Sequence, residues 1–431
     1  MTRAALAWDL YLVVFAGAFT QPSFALFREL AGAWVLCAGR HTVTRLLRVM
    51  APAGRRAHDA YHRFLRAGAW SMAALWKAGV TVLVQGLCPA GVLALDLDDT
   101  LFHKAGRQVE GAGIFRDAVR SRARSVVYAL GLNLVVLTLR VRPPWGGEPL
   151  GLPINMRLYR KGGPSHVELG EAMLREVAAW LPTRRFALAC DGAYASLAGQ
   201  GLPRTHVTSR MRRDAALYEP PPPRRKGQRG RPRKKGRRLP TPEELARTSH
   251  TGWQRAVVDE RGRAVERLLL CRRVLWYAVC PDRQVLLVIV RDPHGKQRDD
   301  FFFSTDLEAP GTRVAAHYAG RWSIEDTFRN VKQSLGGEDP QTWKGAGPER
   351  AAALSLWLYS AVWSWYLTTQ GVKPSWPSLP WYPGKRTPSF ADALAALRRA
   401  LWSRRISPGC GRQPLPRKIA AMLVETLAQA A

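Results

Sequence analysis

Two short apolar runs that each lead into aspartate constrain the fold of this chain most. Residues 92–97 read VLALDL and are followed by Asp98 and Asp99. Residues 186–190 read FALAC and are followed by Asp191. Short apolar runs of this length, bounded by turn residues, predict buried β-strands. We therefore expect two strands whose ends present carboxylates.

The segments around these strands predict an α/β protein. Residues 125–142 contain a further run rich in Val and Leu, and residues 167–180 have the periodicity of a helix. Strands that alternate with helices are typical of an α/β core. The pattern of residues 1–88 predicts helices before this core, and β-like runs interrupt it later. These β-like runs are residues 263–272, 274–280 and 284–291.

The net charge indicates the class of partner. The 431 residues include 65 Lys and Arg and 33 Asp and Glu, which gives a net charge of +32. A chain this basic repels itself unless it meets a polyanion, so we expect DNA or RNA as its partner rather than a membrane or an acidic protein.

A basic arm at residues 224–238 concentrates part of this charge. It reads RRKGQRGRPRKKGRR and contains no acid. Arg231 and Arg233 belong to its RGRPR centre, which is similar to an AT-hook, a short arm that enters A·T-rich minor grooves. A generic phosphate-binding arm fits the same residues.

A helix–turn–helix rhythm occurs near the start of the chain. Residues 42–50 and 56–66 have helical patterns, and the APAG sequence at 51–54 separates them. Several arginines give this unit a basic face. The pattern predicts either a domain that reads DNA sequence or a plain helical bundle with exposed arginines.

One stretch near residue 320 combines cations, a phenol and a carboxylate. In a single helix, at about 100° of rotation per residue, Tyr318, Arg321, Glu325 and Lys332 fall within roughly 60° of arc. A carboxylate can hold a metal ion, and cations and a phenol can hold phosphates. This combination favours a nuclease that acts on a nucleic-acid backbone.

The same stretch has an apolar side and two alternative interpretations. Its apolar stripe should pack on a core and consists of Ile324, Phe328, Val331 and Leu335. One alternative is a basic amphipathic helix on a solvated surface. The other is a capping box at Ser323 and Asp326, which would start the helix after Arg321 and leave Tyr318 in a loop.

The spacing Tyr318-x2-Arg321-x3-Glu325-x6-Lys332 resembles the signature of DDE transposases from bacterial insertion sequences. The resemblance implies a ribonuclease-H-like core that is interrupted by a β-rich insertion and preceded by a helical domain. In such a core the first strand is central and the strand before the second acid lies beside it. It also implies double-stranded DNA as the partner, which the chain would cut at terminal inverted repeats before joining the 3′ ends to target DNA, as a homodimer on DNA.

The resemblance also implies the site residues and the cofactor. Asp99, Asp191 and Glu325 would be the catalytic acids and would hold two Mg²⁺ ions, for which Mn²⁺ can substitute. Tyr318, Arg321 and Lys332 would contact DNA phosphates. Strand alternation leaves the first acid open, because Asp98 and Asp99 point to opposite faces of their strand.

Two other functions are compatible with parts of the sequence. Asp96 and Asp98 in LDLDDTL also resemble the first motif of haloacid-dehalogenase-type phosphatases, in which Asp96 would be the nucleophile. A catalytically inactive, transposase-derived DNA-binding protein is the third interpretation. Trp253 and Trp276 lie in the predicted insertion, where each is either a core residue or a platform for a flipped base.

These patterns divide the chain into five parts and predict its compartment. The parts are a helical, DNA-binding domain at 1–88, the first part of the core at 89–203, the basic arm and β insertion at 204–310, the catalytic helix at 311–370 and a helical tail at 371–431. The six cysteines show no CxxC spacing, and Asp9 interrupts the apolar start of the chain. We therefore expect a reduced, cytoplasmic protein associated with the bacterial nucleoid.

Overall fold

The structure, a computed structural model, describes residues 3–50, 56–122, 124–223, 231–371, 376, 380–406 and 415–430. Over these residues it contains twelve α-helices, ten β-strands and two short 3₁₀ helices at Ala16–Ala18 and Gly192–Gly199. The α-helices are α1 Arg3–Val13, α2 Gln21–Leu36, α3 Val43–Val49, α4 His58–Ala67, α5 Met72–Leu87, α6 His166–Trp180, α7 Pro242–Thr248, α8 Gly311–Gly320, α9 Ser323–Gln333, α10 Gly347–Gln370, α11 Phe390–Arg405 and α12 Arg417–Gln429. The strands are β1 Leu93–His103, β2 Gly113–Arg116, β3 Tyr128–Val141, β4 Leu150–Tyr159, β5 Phe186–Cys190, β6 Thr205–Arg210, β7 Gln254–Glu260, β8 Arg263–Val274, β9 Val285–Arg291 and β10 Asp300–Ser304.

All ten strands belong to one mixed sheet. Its order is β2-β3-β1-β5-β6-β10-β9-β8-β7, and β4 also pairs with β3. β5 runs parallel to both β1 and β6, whereas the other pairings are antiparallel. The predicted α/β class is confirmed, with a sheet that is mostly antiparallel.

β1 lies inside the sheet between β3 and β5. Leu97 pairs with Cys190 in parallel register, and this is the last pair between β1 and β5. The next residues, Asp98 and Asp191, therefore lie beside each other where β5 ends. On its other side β1 stays paired with β3 as far as His103. The strand therefore continues past Asp98 and Asp99 instead of ending before them.

β7 to β10 extend the same sheet rather than forming a separate one. β10 pairs with β6, which itself pairs with β5 in the centre. The predicted runs 263–272 and 284–291 correspond to β8 and β9. The predicted strand at 274–280 is wrong, because the carbonyl of Trp276 accepts hydrogen bonds from the amides of Val279 and Cys280 in a turn.

The helices expected in residues 1–88 are α1 to α5, and they share one hydrophobic core with the sheet and α10. The rings of Phe15 and Trp357 meet edge to face with centroids 5.0 Å apart. Trp34 Nε1 donates a hydrogen bond of 2.7 Å to the carbonyl of Leu335, just after α9. The predicted turn at 51–54, between α3 and α4, lies outside the described residues.

α10 is the central helix of this core. Every residue from Ala351 to Leu367 is buried, so the helix is covered on all sides. Serines on it satisfy their hydroxyls locally or across the core, as Ser360 does by donating to the carbonyl of Pro153. Over the described part of the chain, no helix combines the length and the apolarity that crossing a membrane requires.

Candidate active site

The stretch around residue 320 forms two helices instead of one. α8 ends at Gly320 and α9 begins at Ser323, so Arg321 and Trp322 form a joint between them. The single-helix prediction is therefore wrong. The alternative in which the helix starts after Arg321 is confirmed for that boundary and for the position of Arg321 outside the helix. Its capping box and its loop position for Tyr318 are wrong, because Trp322 is the N-cap without a side-chain hydrogen bond and Tyr318 stays in the last turn of α8.

The apolar side of α9 packs as the sequence predicts. Its four stripe residues are buried, namely Ile324, Phe328, Val331 and Leu335. The helix ends as Gly336 adopts a φ of +52°, which lets the amide of Gly337 bond back to the carbonyl of Val331 at 2.9 Å. This packing fixes the position of α9 against the sheet and leaves Glu325 on its other side.

Asp96 is closed off in the interior. Its side chain is 0% exposed and forms a bidentate ion pair with Arg140 of β3, in which Nε donates at 3.0 Å. Ser323, the first residue of α9, donates a further hydrogen bond of 3.1 Å to it. A carboxylate held by three donors and closed to solvent cannot act as a nucleophile on a dissolved substrate, so the geometry gives no support to the phosphatase interpretation.

Arg321 joins the carboxylates of β1 and α9. Its Nη1 donates to Asp98 Oδ2 in a short ion pair, and its Nη2 donates to Glu325 Oε1 at 3.1 Å. Asp191, directly after β5, interacts electrostatically with the same guanidinium. One buried cation therefore contacts Asp98 and Glu325 and lies within electrostatic range of Asp191.

Burial raises the pKa of both Asp98 and Glu325. It raises the pKa of Asp98 to about 7, which Arg321 opposes and the nearby charges of Asp99 and Asp191 reinforce. Burial also raises the pKa of Glu325, and the Arg321 guanidinium limits that rise. Acids that are desolvated and close to one another favour the uptake of a cation.

Asp99 lies on the opposite face of β1. Its side chain is exposed, and it accepts a hydrogen bond of 3.1 Å from the hydroxyl of Tyr194, in the 3₁₀ helix that follows Asp191. Asp98 instead faces Arg321 on the α9 side. The structure thus connects Asp98 to Glu325 through Arg321 and places Asp191 within electrostatic range of both Asp98 and Arg321, whereas Asp99 contacts Tyr194.

The predicted phosphate contacts occupy different positions. Tyr318 is buried, its ring stacks on Phe302 with centroids 4.3 Å apart, and Arg321 lies 5.5 Å from its ring centroid. Lys332 donates a hydrogen bond of 2.8 Å to the carbonyl of Leu101 at the far end of β1. Tyr318 therefore adjoins Arg321, and Lys332 contacts β1 at Leu101 from the last turn of α9.

The predicted DNA arm is described only in part, whereas the two tryptophans of the predicted insertion are both described. Arg231 and Arg233 are exposed and lie outside regular secondary structure, while residues 224–230 of the arm lie outside the described part of the chain. Trp276 is buried against Phe303, which matches a core residue. Trp253 is half-buried and is covered by the guanidinium of Arg291, whose carbon lies 4.1 Å from the ring centroid.

The carboxylates fit a divalent metal by their chemistry. Asp98, Asp191 and Glu325 supply hard oxygen donors of the kind that Mg²⁺ prefers. Within the described ranges, however, no three His, Cys, Asp or Glu side chains come close enough together to hold one ion. The guanidinium of Arg321 lies between two of the acids, which accounts for their separation.

Two comparisons with known proteins place the chain. Residues 19–268, more than half of the 431 residues, match the family model described as DDE superfamily endonuclease. The chain belongs to this family. Membership of the DDE superfamily endonucleases supports a nuclease or transposase type of function on DNA, a class that generally uses divalent metal ions. The matched range includes Asp98, Asp99 and Asp191 but not Glu325. No curated protein matches the chain.

Sequence reasoning missed the residues that hold this endonuclease site in shape. Arg140 donates to Asp96 and also to the carbonyl of His317 at 2.8 Å, so it joins β3, β1 and α8. Ser323 adds the link to α9. Arg140 lies near the end of β3, after a run of apolar residues. An arginine at a strand position that is otherwise apolar was the signal that could have identified it.

Proposed function

We propose that this DDE endonuclease is a transposase of a bacterial insertion sequence. It binds the terminal inverted repeats of its element, cuts the DNA at those ends and joins the 3′ ends to target DNA. We further propose that it acts as a homodimer on DNA and works in the cytoplasm, on the nucleoid. The resemblance at Tyr318, Arg321, Glu325 and Lys332 motivates this assignment.

One observation carries the proposal, and it is the contact of Arg321 with both Asp98 and Glu325. It joins the middle of β1 to α9, and the register of β1 with β5 puts Asp191 beside Asp98. A central first strand with the second acid on its neighbour supports a ribonuclease-H-like core. We assign Asp98, rather than Asp99, as the first catalytic acid for this reason.

We assign metal binding and phosphate binding to different residues of the site. Asp98, Asp191 and Glu325 would hold the metal, for which we propose Mg²⁺ with Mn²⁺ as a substitute. Bound there, a divalent ion supplies a Lewis acid that activates water and stabilises the leaving oxygen. Arg321 and Tyr318, which adjoin the acids, would orient the scissile phosphate, because small misplacements at a reacting centre are costly.

Cleavage of a duplex that carries the sequences flanking the gene tests the proposal. We expect Asp98→Asn, Asp191→Asn and Glu325→Gln each to lower the cleavage rate by at least about a hundredfold, whereas gel retention of the duplex changes little. Asp99→Asn should retain cleavage within about tenfold of wild type, because its carboxylate faces Tyr194.

The control is Glu171→Gln on the outer face of α6, which should cleave like the wild type. If Asp99→Asn is inactive and Asp98→Asn is not, the assignment of the first acid is wrong. If the wild type binds the duplex and leaves it intact with Mg²⁺ or Mn²⁺, the inactive DNA-binding protein becomes the better description.

A further inference from the structure

Arg321 lies between two acids at the place where a metal-binding endonuclease is expected to hold its metal ion. Its two terminal nitrogens contact Asp98 and Glu325, on different elements of the fold. The side chain is 8% exposed, compared with 19% for Asp98 and 36% for Glu325. One positive group thus neutralises two acids that we assign to metal binding.

The remaining nitrogen of Arg321 is not satisfied. Nε is buried and has no hydrogen-bond partner among the described residues. A buried donor without a partner costs about 1–3 kcal/mol, so this arrangement does not use the full bonding capacity of the guanidinium. A DNA phosphate offers several acceptor oxygens and can bind a guanidinium through two donors at once.

The surroundings of Arg321 provide a short route to such a phosphate. It lies at the joint between α8 and α9, where its amide donates to the carbonyl of Tyr318 at 3.1 Å and its carbonyl accepts from the amide of Ile324 at 3.0 Å. Trp322, the next residue, is 46% exposed, so the joint reaches the surface. Exchange with a DNA phosphate at this surface requires the Arg321 side chain to rotate away from the acids.

We propose that Arg321 is an exchangeable internal cation that couples DNA binding to metal binding. Without DNA it bridges Asp98 and Glu325 and competes with a divalent ion for both carboxylates. A bound duplex draws the guanidinium to a backbone phosphate and frees the acids. Because coupling between two ligands is reciprocal, bound metal must also favour DNA. The inference rests on the proposed function, and it adds an order of assembly in which DNA precedes metal.

Mn²⁺ binding, followed by the electron paramagnetic resonance of the free ion, tests this coupling. The DNA is a pre-cleaved repeat end, and the Mn²⁺ bound by the duplex alone is subtracted. For the wild type we expect the duplex to raise Mn²⁺ affinity by about tenfold, within the usual range of coupling between sites. Arg321→Gln should bind Mn²⁺ without DNA as tightly as the wild type does with DNA, and the duplex should then add less than about twofold.

Two further variants test whether the coupling depends on the Arg321 guanidinium. Arg329→Gln removes an exposed arginine of α9, which pairs with Asp326, and should keep the wild-type coupling. Arg321→Lys keeps the charge but replaces the forked guanidinium by a single ammonium, so its coupling should fall between those of the wild type and Arg321→Gln. Thermal unfolding of each variant establishes that it is folded.

The outcomes separate this inference from the proposed function. If Arg321→Gln is folded and binds Mn²⁺ no more tightly than the wild type without DNA, Arg321 is a permanent structural partner and the exchange is wrong. If Asp98→Asn combined with Glu325→Gln leaves Mn²⁺ binding unchanged, the metal ligands themselves are misassigned. A wild type whose Mn²⁺ affinity is the same with and without the duplex also overturns the coupling.

Discussion

Arg140 of β3 and Asp96 of β1 form a buried, bidentate ion pair directly behind the candidate active site. Because Arg140 also binds the carbonyl of His317 and Asp96 also accepts from Ser323, the pair connects the sheet to both α8 and α9. The relative position of Asp98 and Glu325 depends on this connection.

Removing one member of the pair should destabilise the protein strongly. Asp96→Asn leaves the Arg140 charge buried without its partner, and we expect a loss of about 3–5 kcal/mol in the free energy of unfolding, measured with urea. Asp59→Asn is the control, since the Asp59–Arg63 pair is exposed and should contribute less than about 1 kcal/mol. Equal effects of the two variants would contradict a structural role for Asp96.

Gly336 should be required for its backbone conformation. Its φ is +52°, and a Cβ there would lie 2.6 Å from His41 Nδ1 and closer still to Asp339. We expect Gly336→Ala to lower the free energy of unfolding by roughly 1–2 kcal/mol or more. Gly86→Ala in α5 has no atom within 4 Å of the new Cβ and should be neutral or stabilise by up to about 1 kcal/mol. Thermal unfolding of both variants distinguishes a strained site from a general glycine effect.

Lys104 should give the protein a pH-dependent stability in the alkaline range. Burial lowers its pKa to about 8, against the opposing charges of Glu338 and Asp339. The folded state therefore binds fewer protons than the unfolded state between about pH 8 and pH 10.5, and stability rises with pH in that window. From pH 7.5 to 9.5 we expect Lys104 to contribute an increase of about 2 kcal/mol that Lys104→Met lacks. Parallel slopes for the two proteins in urea unfolding would show that Lys104 titrates normally.

The described part of the basic arm should act through phosphates. Each phosphate contact adds about 0.9 to the slope of log K against log salt, so replacing Arg231 and Arg233 by Gln should reduce that slope by up to about 2. Fluorescence anisotropy on the repeat and on an unrelated duplex measures it, with Arg175→Gln on α6 as a surface control. A loss confined to the repeat duplex would instead indicate that the arm reads sequence.

Local sequence patterns correctly predicted β5 and the apolar face of α9. Both could be recognised because their hydrophobic periodicity is complete within a few residues. β4 was missed, since it contains Pro153, which is unusual within a strand. Here Pro153 pairs with Thr138 beside an irregularity in the β3–β4 register, where the ladder tolerates it.

The geometry of the site depended on contacts that no local pattern contains. An aspartate at 98 or 99, Asp191 after β5 and Glu325 on α9 could be selected from sequence. Whether Asp98 or Asp99 faces Glu325 could not, because it follows from β1 continuing along β3 beyond the point where its pairing with β5 stops. The joint at Arg321 likewise reflects its contact with Asp98, which lies 223 positions earlier in the chain.

The continuity of the sheet has a consequence for how this protein can be shortened. β10 covers the open side of β6, so β7 to β10 are joined to the catalytic centre by backbone hydrogen bonds, not by a hinge. Excising them would leave β6 as an unprotected edge strand next to β5, with free amides and carbonyls ready to pair with another molecule. A minimal version of the protein without this region should therefore aggregate, even though every proposed catalytic acid is retained.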